Sequence, residues 1–292
     1  MQPQKPVGDD HGSGGAGAVM AAGGLRRWLQ RSAAGSVSQP TDRRPLVDVL
    51  GLGAQRCGTT TLQTLLSRHP GLFLPAFKEV HYFSLHYDKG HDWYAAHYSG
   101  AAPGQLRGDI TPYYLFHPQA PARIAATVPG ARLIVLLRDP VERALSQYGH
   151  SRRLGLEPLP LEQALAAEPT RLAGAEARLA APGGRDRSHQ EHSYLSRSRY
   201  GPQLARYEAL WPQEAMLLLR SEDLFAEPEL SWRRIQAFLA LKEHPFPGPL
   251  PRANAAGNTQ LEPSAALRAW MREQLEPTYA LMEQRYGLRW PR

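Results

Sequence analysis

A single stretch near the amino end, residues 47–62, constrains the fold most strongly. It reads Val-Asp-Val-Leu-Gly-Leu-Gly-Ala-Gln-Arg-Cys-Gly-Thr-Thr-Thr-Leu, an apolar β-branched run followed by a glycine-rich turn and a helical pattern. A strand, a loop and a helix in this order direct the backbone N–H groups of the loop and the helix N-terminus at one point. Such a point binds an anion, usually a phosphate. The stretch therefore predicts an α/β protein with an anion-binding loop.

The loop fits the frame of a nucleotide-binding phosphate loop through Gly53, Gly58 and Thr59, with one departure. Thr59 stands where a lysine is expected after the second glycine, and the nearest cation is Arg56 inside the loop. The cradle for a phosphate is kept, while the group that handles the β- and γ-phosphates of a nucleotide has moved. A glycine-rich turn without a ligand is the alternative at this point.

Charge and composition limit the partners. The 292 residues carry a formal net charge of +7, which favours anionic ligands or acceptors. The excess comes from scattered arginines without a basic block, so we do not expect nucleic-acid binding. The single cysteine, Cys57, excludes an internal disulfide and disfavours a cysteine-based zinc site. No apolar run approaches the roughly 20 residues of a membrane span, and no signal peptide is recognisable. We therefore expect a cytoplasmic protein.

The chain divides at about residue 45. Residues 1–44 are rich in Gly, Ala and Ser and have little apolar surface to bury, so we expect a disordered tail, with at most a short helix near residues 25–30. Residues 45–292 contain no internal repeat and no second core, which predicts one domain.

Strand and helix patterns alternate along this domain. The apolar run Arg132–Leu137 is the strongest strand signal and suits a parallel sheet buried on both faces. The expected fold is α/β, a single P-loop-type domain with a central parallel sheet flanked by helices. The predicted strands are 47–53, 72–74, 106–110, 132–137 and 216–219. The predicted helices are 60–66, 120–127, 140–148, 161–167, 203–211, 232–239 and 265–286, the last one kinked or broken near Pro277, with a mobile loop up to residue 195 and a linker at 244–251.

A second strand-to-helix junction carries polar groups of its own. Arg138 follows the strand 132–137, and Ser146 lies about two turns into the next helix. In a parallel sheet this junction and the loop at 53–60 both lie at the carboxyl ends of strands, where open α/β folds bind ligands. Arg138 and Ser146 can grip one phosphate from two sides. The two junctions together indicate a nucleotide with phosphates at both ends.

These motifs resemble the sulfotransferases that use 3′-phosphoadenosine 5′-phosphosulfate (PAPS). Residues 53–60, Gly-Ala-Gln-Arg-Cys-Gly-Thr-Thr, resemble the 5′-phosphosulfate loop, and residues 136–146, Leu-Leu-Arg-Asp-Pro-Val-Glu-Arg-Ala-Leu-Ser, resemble the 3′-phosphate site. Weaker matches extend from about residue 46 to 241. The resemblance implies PAPS as cofactor and adenosine 3′,5′-bisphosphate (PAP) as product. The residues that it assigns to cofactor binding are Gln55, Arg56, Cys57, Gly58, Thr59, Thr60, Arg138 and Ser146.

Residues 78–83, Lys-Glu-Val-His-Tyr-Phe, are most similar to the branch that acts on heparan sulfate and related glycans. This resemblance implies Glu79 as the base that deprotonates the acceptor hydroxyl or amine, and Arg56 as the charge that stabilises the sulfonate. His81 and Asp109 would bind the acceptor. His81 is the alternative base, because its ordinary pKa lies nearer neutrality, and a structural ion pair with Lys78 is the alternative role for Glu79. No metal is implied.

Several departures leave the acceptor open. Arg56 and Ile110 stand where the glycan enzymes have lysines, and the basic loop that closes over their nucleotide is not evident at 254–258. Sugar, lipid, phenol and peptide acceptors all remain possible, and the sequence says nothing about oligomeric state. Two other functions also remain, a P-loop kinase or other nucleotide phosphotransferase and a nucleotide-binding regulator without turnover.

The composition of the tail generates a first prediction. Deleting residues 1–42 should leave the melting temperature and the activity unchanged, because these residues have little apolar surface to bury. Thermal denaturation and an activity assay of the full-length and truncated chains test it. A large drop in melting temperature on truncation would contradict it.

Overall fold

A parallel five-stranded sheet is the framework of the protein in the computed structural model, which describes residues 46–250 and 263–291. The expected helix near residues 25–30, the tail and the segment 254–258 lie outside the described residues. The strands are β1 (Val49–Gly53), β2 (Leu72–Phe73), β3 (Leu106–Ile110), β4 (Arg132–Leu137) and β5 (Met216–Arg220). They lie in the order β2-β3-β1-β4-β5, and every neighbouring pair is parallel. The α/β expectation and all five strands are confirmed.

Helices connect the strands and cover the sheet. They are α1 (Thr59–Leu66), α2 (Tyr82–Leu85), α3 (Gly90–Ala96), α4 (Tyr113–Phe116), α5 (Ala120–Thr127), α6 (Pro140–Arg153), α7 (Leu161–Leu172), α8 (Ala175–Leu179), α9 (Arg187–Glu191), α10 (Leu195–Ser198), α11 (Tyr200–Glu208), α12 (Ser221–Ala226), α13 (Pro228–Phe238) and α14 (Ala265–Tyr286), with 3₁₀ turns at Tyr87–Lys89 and Gln213–Ala215. None of the helices within residues 46–250 and 263–291 combines the length and the apolar character that crossing a bilayer requires.

The centre of the sheet is β1 paired with β4, and both strands are buried. All five residues of β1 are buried, as are the last five of β4. The pairing continues to the ends of the strands, where a register shift between Gly51 and Gly53 lets Gly53 pair with Val135. Apolar runs buried on both faces are typical of parallel sheets. This central pair brings the loop after β1 and the turn after β4 to the same edge.

The segment from residue 173 to 195 is ordered, although the sequence predicted a mobile loop there. Helix α7 continues past residue 167 to Leu172, and α8 and α9 follow. The buried carboxylate of Glu168 accepts hydrogen bonds from the backbone N–H groups of Leu195 and Ser196, both at 2.8 Å. Asp186 caps α9 by accepting from the N–H of His189 at 2.7 Å. The Glu168 contacts join residues 27 and 28 positions apart, so the local composition did not reveal them.

The sequence predicted a kink or a break near Pro277; helix α14 runs unbroken through Pro277, so a break is wrong. Residues on both sides of the proline, Leu275 and Tyr279, are buried, and the Tyr279 hydroxyl donates to Asp139 at 2.9 Å. Packing of the helix therefore outweighs the hydrogen bond that proline removes. The same contact fixes the turn that follows β4.

Two buried histidines lie beneath the carboxyl edge of the sheet. His117 is fully buried, and His189 stacks on Phe116 with ring centroids 4.1 Å apart. Burial, followed by nearby arginines, lowers the pKa of His117 to about 3 and that of His189 to about 2. In the pH range just below 6.5, where histidines of the unfolded chain take up protons, both side chains therefore stay neutral in the folded protein.

This shift predicts acid sensitivity. The folded pKa values lie below the ordinary value of 6.5, so the stability contributed by the neutral histidines is present above pH 6.5 and is lost as the pH falls below it. At pH 5 each histidine should lower the free energy of unfolding by about 2 kcal/mol. Urea denaturation at pH 7 and pH 5 measures the loss.

The variant His117→Asn isolates one of the two contributions, since it should lose about 2 kcal/mol less than the wild type between these pH values. The same substitution at the exposed His91 controls for the introduction of asparagine. Equal losses in His117→Asn and the wild type would contradict the prediction.

Candidate active site

The loop between β1 and α1 forms a turn whose backbone defines an anion cradle. Gly53 has φ +142°, and a Cβ there would lie 2.7 Å from the carbonyl oxygen of Pro112. Arg56 and Gly58 also have positive φ angles, 72° and 87°. Helix α1 begins after Gly58 without a side-chain cap and without an acidic residue in its first turn. An N-terminus of this kind attracts an anion.

The turn after β4 meets this loop. The Asp139 carboxylate caps α6 by accepting from the N–H of Glu142 at 2.9 Å, which fixes the start of that helix. Two turns later, the hydroxyl of Ser146 accepts a hydrogen bond of 3.1 Å from Nε of Arg56. Arg138 lies at the start of the same turn, 3.7 Å from the Glu142 carboxylate. The structure thus brings Arg56, Arg138 and Ser146 together, as the two motifs predicted.

Positive charge accumulates around Arg56. Burial lowers the pKa of Arg56, and Arg153, Arg138 and Arg143 lower it further. Arg143 is fully buried and donates to the Ser198 hydroxyl at 2.6 Å and to the backbone carbonyl of Tyr194 at 2.5 Å. Among the residues that the structure describes, Arg143 contacts no carboxylate. Repulsion between these cations makes the region favourable for a multiply charged anion.

Glu79 lies between the side chains of Lys78 and His81. Its Oε1 is 3.3 Å from Nζ of Lys78, and its Oε2 is 3.2 Å from Nε2 of His81. Burial would raise the pKa of Glu79, but the hydrogen bond from His81 and the charge of Lys78 outweigh it and hold the pKa below its ordinary value. The lowered pKa keeps Glu79 ionised at neutral pH. Its side chain is 25% exposed and therefore accessible. It can accept a proton from an acceptor.

His81 is held in place from two directions. It has φ 57° at the start of α2, and its Nδ1 lies 3.1 Å from the Ser84 hydroxyl. Its backbone N–H donates to the hydroxyl of Thr111 at 3.4 Å. The ring therefore reaches Glu79 through Nε2 with a fixed orientation.

Asp109, which the resemblance assigns to acceptor binding, is buried beneath the site. Its side chain is 1% exposed and accepts hydrogen bonds from the hydroxyls of Tyr94, Tyr114 and Thr111 at 2.9, 2.8 and 2.6 Å. A carboxylate enclosed in this way does not contact an acceptor. Because Thr111 in turn accepts from the backbone of His81, Asp109 is a positioning residue. Burial raises the pKa of Asp109, and the three hydroxyls oppose that rise.

Gln55 and Cys57 also face the protein. The Cys57 thiol is fully buried, and burial raises its pKa to about 11, so it is neutral and not a nucleophile. Gln55 accepts a hydrogen bond from the guanidinium of Arg197. A ligand in the loop would therefore meet Cys57 through its backbone.

Sequence reasoning missed two cations of the site. Lys78 places Nζ 3.4 Å from both hydroxyls of Thr59 and Thr60, at the start of α1. Arg197 is 1% exposed, stacks over Phe116 and donates to the backbone of His189 at 2.7 Å as well as to Gln55. The signal for Lys78 was its position beside Glu79. Arg197 gave no local signal, because its role depends on the packing of α10 against the loop.

A separate cleft of about 1010 Å³ lies at the opposite, amino-terminal edge of the sheet. Asp48, His69, Arg132 and Lys242 are among its lining residues. None of the predicted site residues lines this cleft. Within residues 46–250 and 263–291, no three His, Cys, Asp or Glu side chains converge as a metal site would require.

Comparisons of the sequence with known proteins identify related proteins. The profile of a family described as "Sulfotransferase domain" matches residues 46–247. Human heparan sulfate glucosamine 3-O-sulfotransferase 3B1 is 30% identical over 200 residues, which are 68% of this chain and 47% of that protein. The membrane-associated sulfotransferase kil1 of Dictyostelium discoideum is 40% identical over 109 residues, 36% of this chain and 23% of that protein.

A solved structure, that of a sulfotransferase from Alicyclobacillus acidocaldarius, superposes with a TM-score of 0.66 at 25% identity. The superposition covers 83% of this chain and 95% of that one. Both curated relatives are more than twice as long as the part of them that this chain matches.

Proposed function

The chain belongs to the sulfotransferase domain family, and we propose on this premise that it transfers a sulfuryl group from PAPS to a hydroxyl or amine of an acceptor. The observation that carries the proposal is the hydrogen bond of 3.1 Å between Arg56 and Ser146. It joins the loop resembling a 5′-phosphosulfate site to the helix resembling a 3′-phosphate site. A nucleotide with phosphate groups at its 5′ and 3′ positions is the ligand that needs both the loop and the helix.

In the proposed complex the α1 N-terminus and the loop at 53–60 hold the 5′-phosphosulfate, through the backbone of Cys57 and Gly58 and the hydroxyls of Thr59 and Thr60. Arg138 and Ser146 hold the 3′-phosphate, and Arg56 lies between the two subsites. Each of these contacts is a charge-assisted hydrogen bond or a backbone N–H aimed at an anion. The surplus of arginines around Arg56 supports the assignment, since a bound anion would relieve their repulsion.

The proposed reaction has one proton transfer and one displacement. Glu79 takes the proton of the acceptor as the acceptor oxygen or nitrogen bonds to sulfur. The bond between sulfur and the bridging oxygen breaks, its electron pair remains on the 5′-phosphate, and PAP leaves. His81 keeps the Glu79 carboxylate oriented through its Nε2 contact of 3.2 Å and is positioned to meet the acceptor.

The acceptor class is a further part of the proposal. We propose a glycan or another small molecule. The segment 78–83 and a relative named for heparan sulfate glucosamine support a glycan, whereas Ile110, which replaces a lysine of the glycan enzymes, favours a less anionic one.

A nucleotide phosphotransferase is not favoured, given the family. The cytoplasmic location stays a prediction from the sequence, and one relative is named as membrane-associated.

Ligand-dependent melting tests the cofactor. At about a hundredfold excess over its Kd, PAP should raise the melting temperature by about 5 °C or more, well above the shift from ATP with Mg²⁺, because only PAP fills both phosphate subsites. Arg138→Ala should weaken PAP binding by about 1.5–3 kcal/mol, the scale of a hydrogen bond to a charged group.

The control for Arg138 is Arg132→Ala, at the opposite end of the same strand, which should leave PAP binding unchanged. Equal stabilisation by PAP and by ATP with Mg²⁺ would contradict the proposal.

Substitution of the base tests the mechanism. Glu79→Gln should keep PAP affinity and lower kcat by about 10²–10⁴, the usual contribution of general-base catalysis. Transfer from PAPS to pooled glycan, phenol and peptide acceptors, read by mass shift, measures it, with Glu243→Gln at an exposed position as control. Normal turnover of Glu79→Gln together with an inactive His81→Ala would exchange the roles of the two residues.

A further inference from the structure

Lys78 lies in an electrostatically unusual place. Its ammonium group is within 3.4 Å of the Thr59 and Thr60 hydroxyls, which belong to the first turn of α1, and its side chain is only 16% exposed. The N-terminus of a helix carries a partial positive charge and repels a cation. Across the described parts of the chain, the one carboxylate in contact with Lys78 is Glu79, at 3.3 Å.

This arrangement is explained by an anion between the helix and the lysine. A negative group bound at the start of α1 would be attracted by the backbone N–H groups, by the two threonine hydroxyls and by the ammonium group at once. The proposed position of the 5′-phosphosulfate is the start of α1. Lys78 therefore faces the group to be transferred from the side on which Glu79 lies.

Arg56 is directed elsewhere. Its Nε donates to Ser146 on α6, which carries the proposed 3′-phosphate subsite, and the charges that affect it most are those of Arg153, Arg138 and Arg143. The motif places Arg56 in the loop, but its guanidinium contacts Ser146, on the side of the proposed 3′-phosphate subsite. The cation in contact with Glu79 is Lys78.

We propose that Lys78, and not Arg56, is the catalytic cation that contacts the transferring sulfonate and its bridging oxygen. This inference rests on the proposed function. The acceptor proton goes to Glu79, the new bond forms between the acceptor and sulfur, and the bond between sulfur and the bridging oxygen breaks. The electron pair of that bond stays on the 5′-phosphate, where the ammonium group of Lys78 neutralises the growing charge. Arg56 binds the phosphates of the nucleotide.

The pairing of Lys78 with Glu79 adds a consequence. In the unliganded protein the lysine charge helps to hold the pKa of Glu79 below its ordinary value. When the bound phosphosulfate neutralises the charge of Lys78, this contribution weakens and the carboxylate becomes a stronger base. Cofactor binding thus prepares the base for the acceptor.

The test compares Lys78→Ala with Arg56→Ala in two measurements on the full chain. The first is calorimetric PAP affinity. The second is the single-turnover rate of PAP release from saturating PAPS, with water or the most effective pooled acceptor. Lys78→Ala should lower the rate about 100-fold or more, the effect of losing one charge-stabilising group, while PAP affinity falls by less than it does in Arg56→Ala. Arg56→Ala should weaken PAP binding by about tenfold or more.

Two control variants and two further measurements make the comparison specific. Lys78→Arg keeps the charge and should recover much of the lost rate, whereas Lys242→Ala, an exposed lysine at the opposite edge of the sheet, should match the wild type. The acid limb of the pH profile of kcat/KM for PAPS, which reports the free enzyme, should move to higher pH in Lys78→Ala, because removing the lysine charge raises the pKa of Glu79 there. Melting temperatures establish that each variant is folded.

The outcomes separate this inference from the function on which it rests. A Lys78→Ala variant that cleaves PAPS at the wild-type rate, or that loses PAP affinity as much as Arg56→Ala does, would overturn the role of Lys78 alone. A wild-type protein that binds neither PAP nor PAPS, or that never cleaves PAPS, would overturn the proposed function and the inference with it.

Discussion

The parallel pairing of β1 with β4 is the constraint on which the candidate site depends. It places the turn after each strand at one edge of the sheet, and the backbone N–H of Ala54 continues the ladder by donating to the Leu136 carbonyl at 2.6 Å. The register shift between Gly51 and Gly53 begins the turn, and Gly53 packs too close to Pro112 for any side chain. Because the sheet places the loop after β1 beside the helix after β4, Arg56 in the loop can contact Ser146 on that helix.

Burying two arginines, Arg143 and Arg197, costs desolvation free energy that the rest of the fold has to offset. Desolvation lowers the pKa of Arg143 and that of Arg197, the latter to about 10, and neither is in contact with a carboxylate within the described ranges. Their donors are met mainly by backbone carbonyls, including those of Tyr194 and His189, and by the Ser198 hydroxyl. A buried charge satisfied by neutral acceptors keeps much of its field, because nothing nearby cancels it. The field acts on the loop, where Arg197 also holds Gln55.

The sequence predicted the frame of the fold well and the details of the site less well. Apolar runs such as Arg132–Leu137 and the glycine-rich loop carry their information locally, and the structure has a strand and a turn at these places. The order of residues 173–195 depends on Glu168 bonding to the backbone of α10, a contact across nearly thirty positions. Asp109 was misassigned for a related reason. Its hydroxyl partners come from α3, α4 and the turn between β3 and α4, so their convergence is visible only in three dimensions.

The distribution of charge links these features to chemistry. The unliganded site holds cations in positions that repel one another, with Lys78 at a helix N-terminus and Arg56 among three further arginines. A fold tolerates such repulsion when other contacts hold the surrounding elements in place. Here Asp139 caps the start of α6, and Thr111 accepts a hydrogen bond from the backbone of His81. Because the cations are already in place, binding of a doubly phosphorylated nucleotide needs little rearrangement of charge, and its binding energy is then available for the displacement. The paired Lys78 and Glu79 extend this reasoning to the acceptor side, since an anion that neutralises the lysine charge in place leaves the carboxylate as the group that must take a proton.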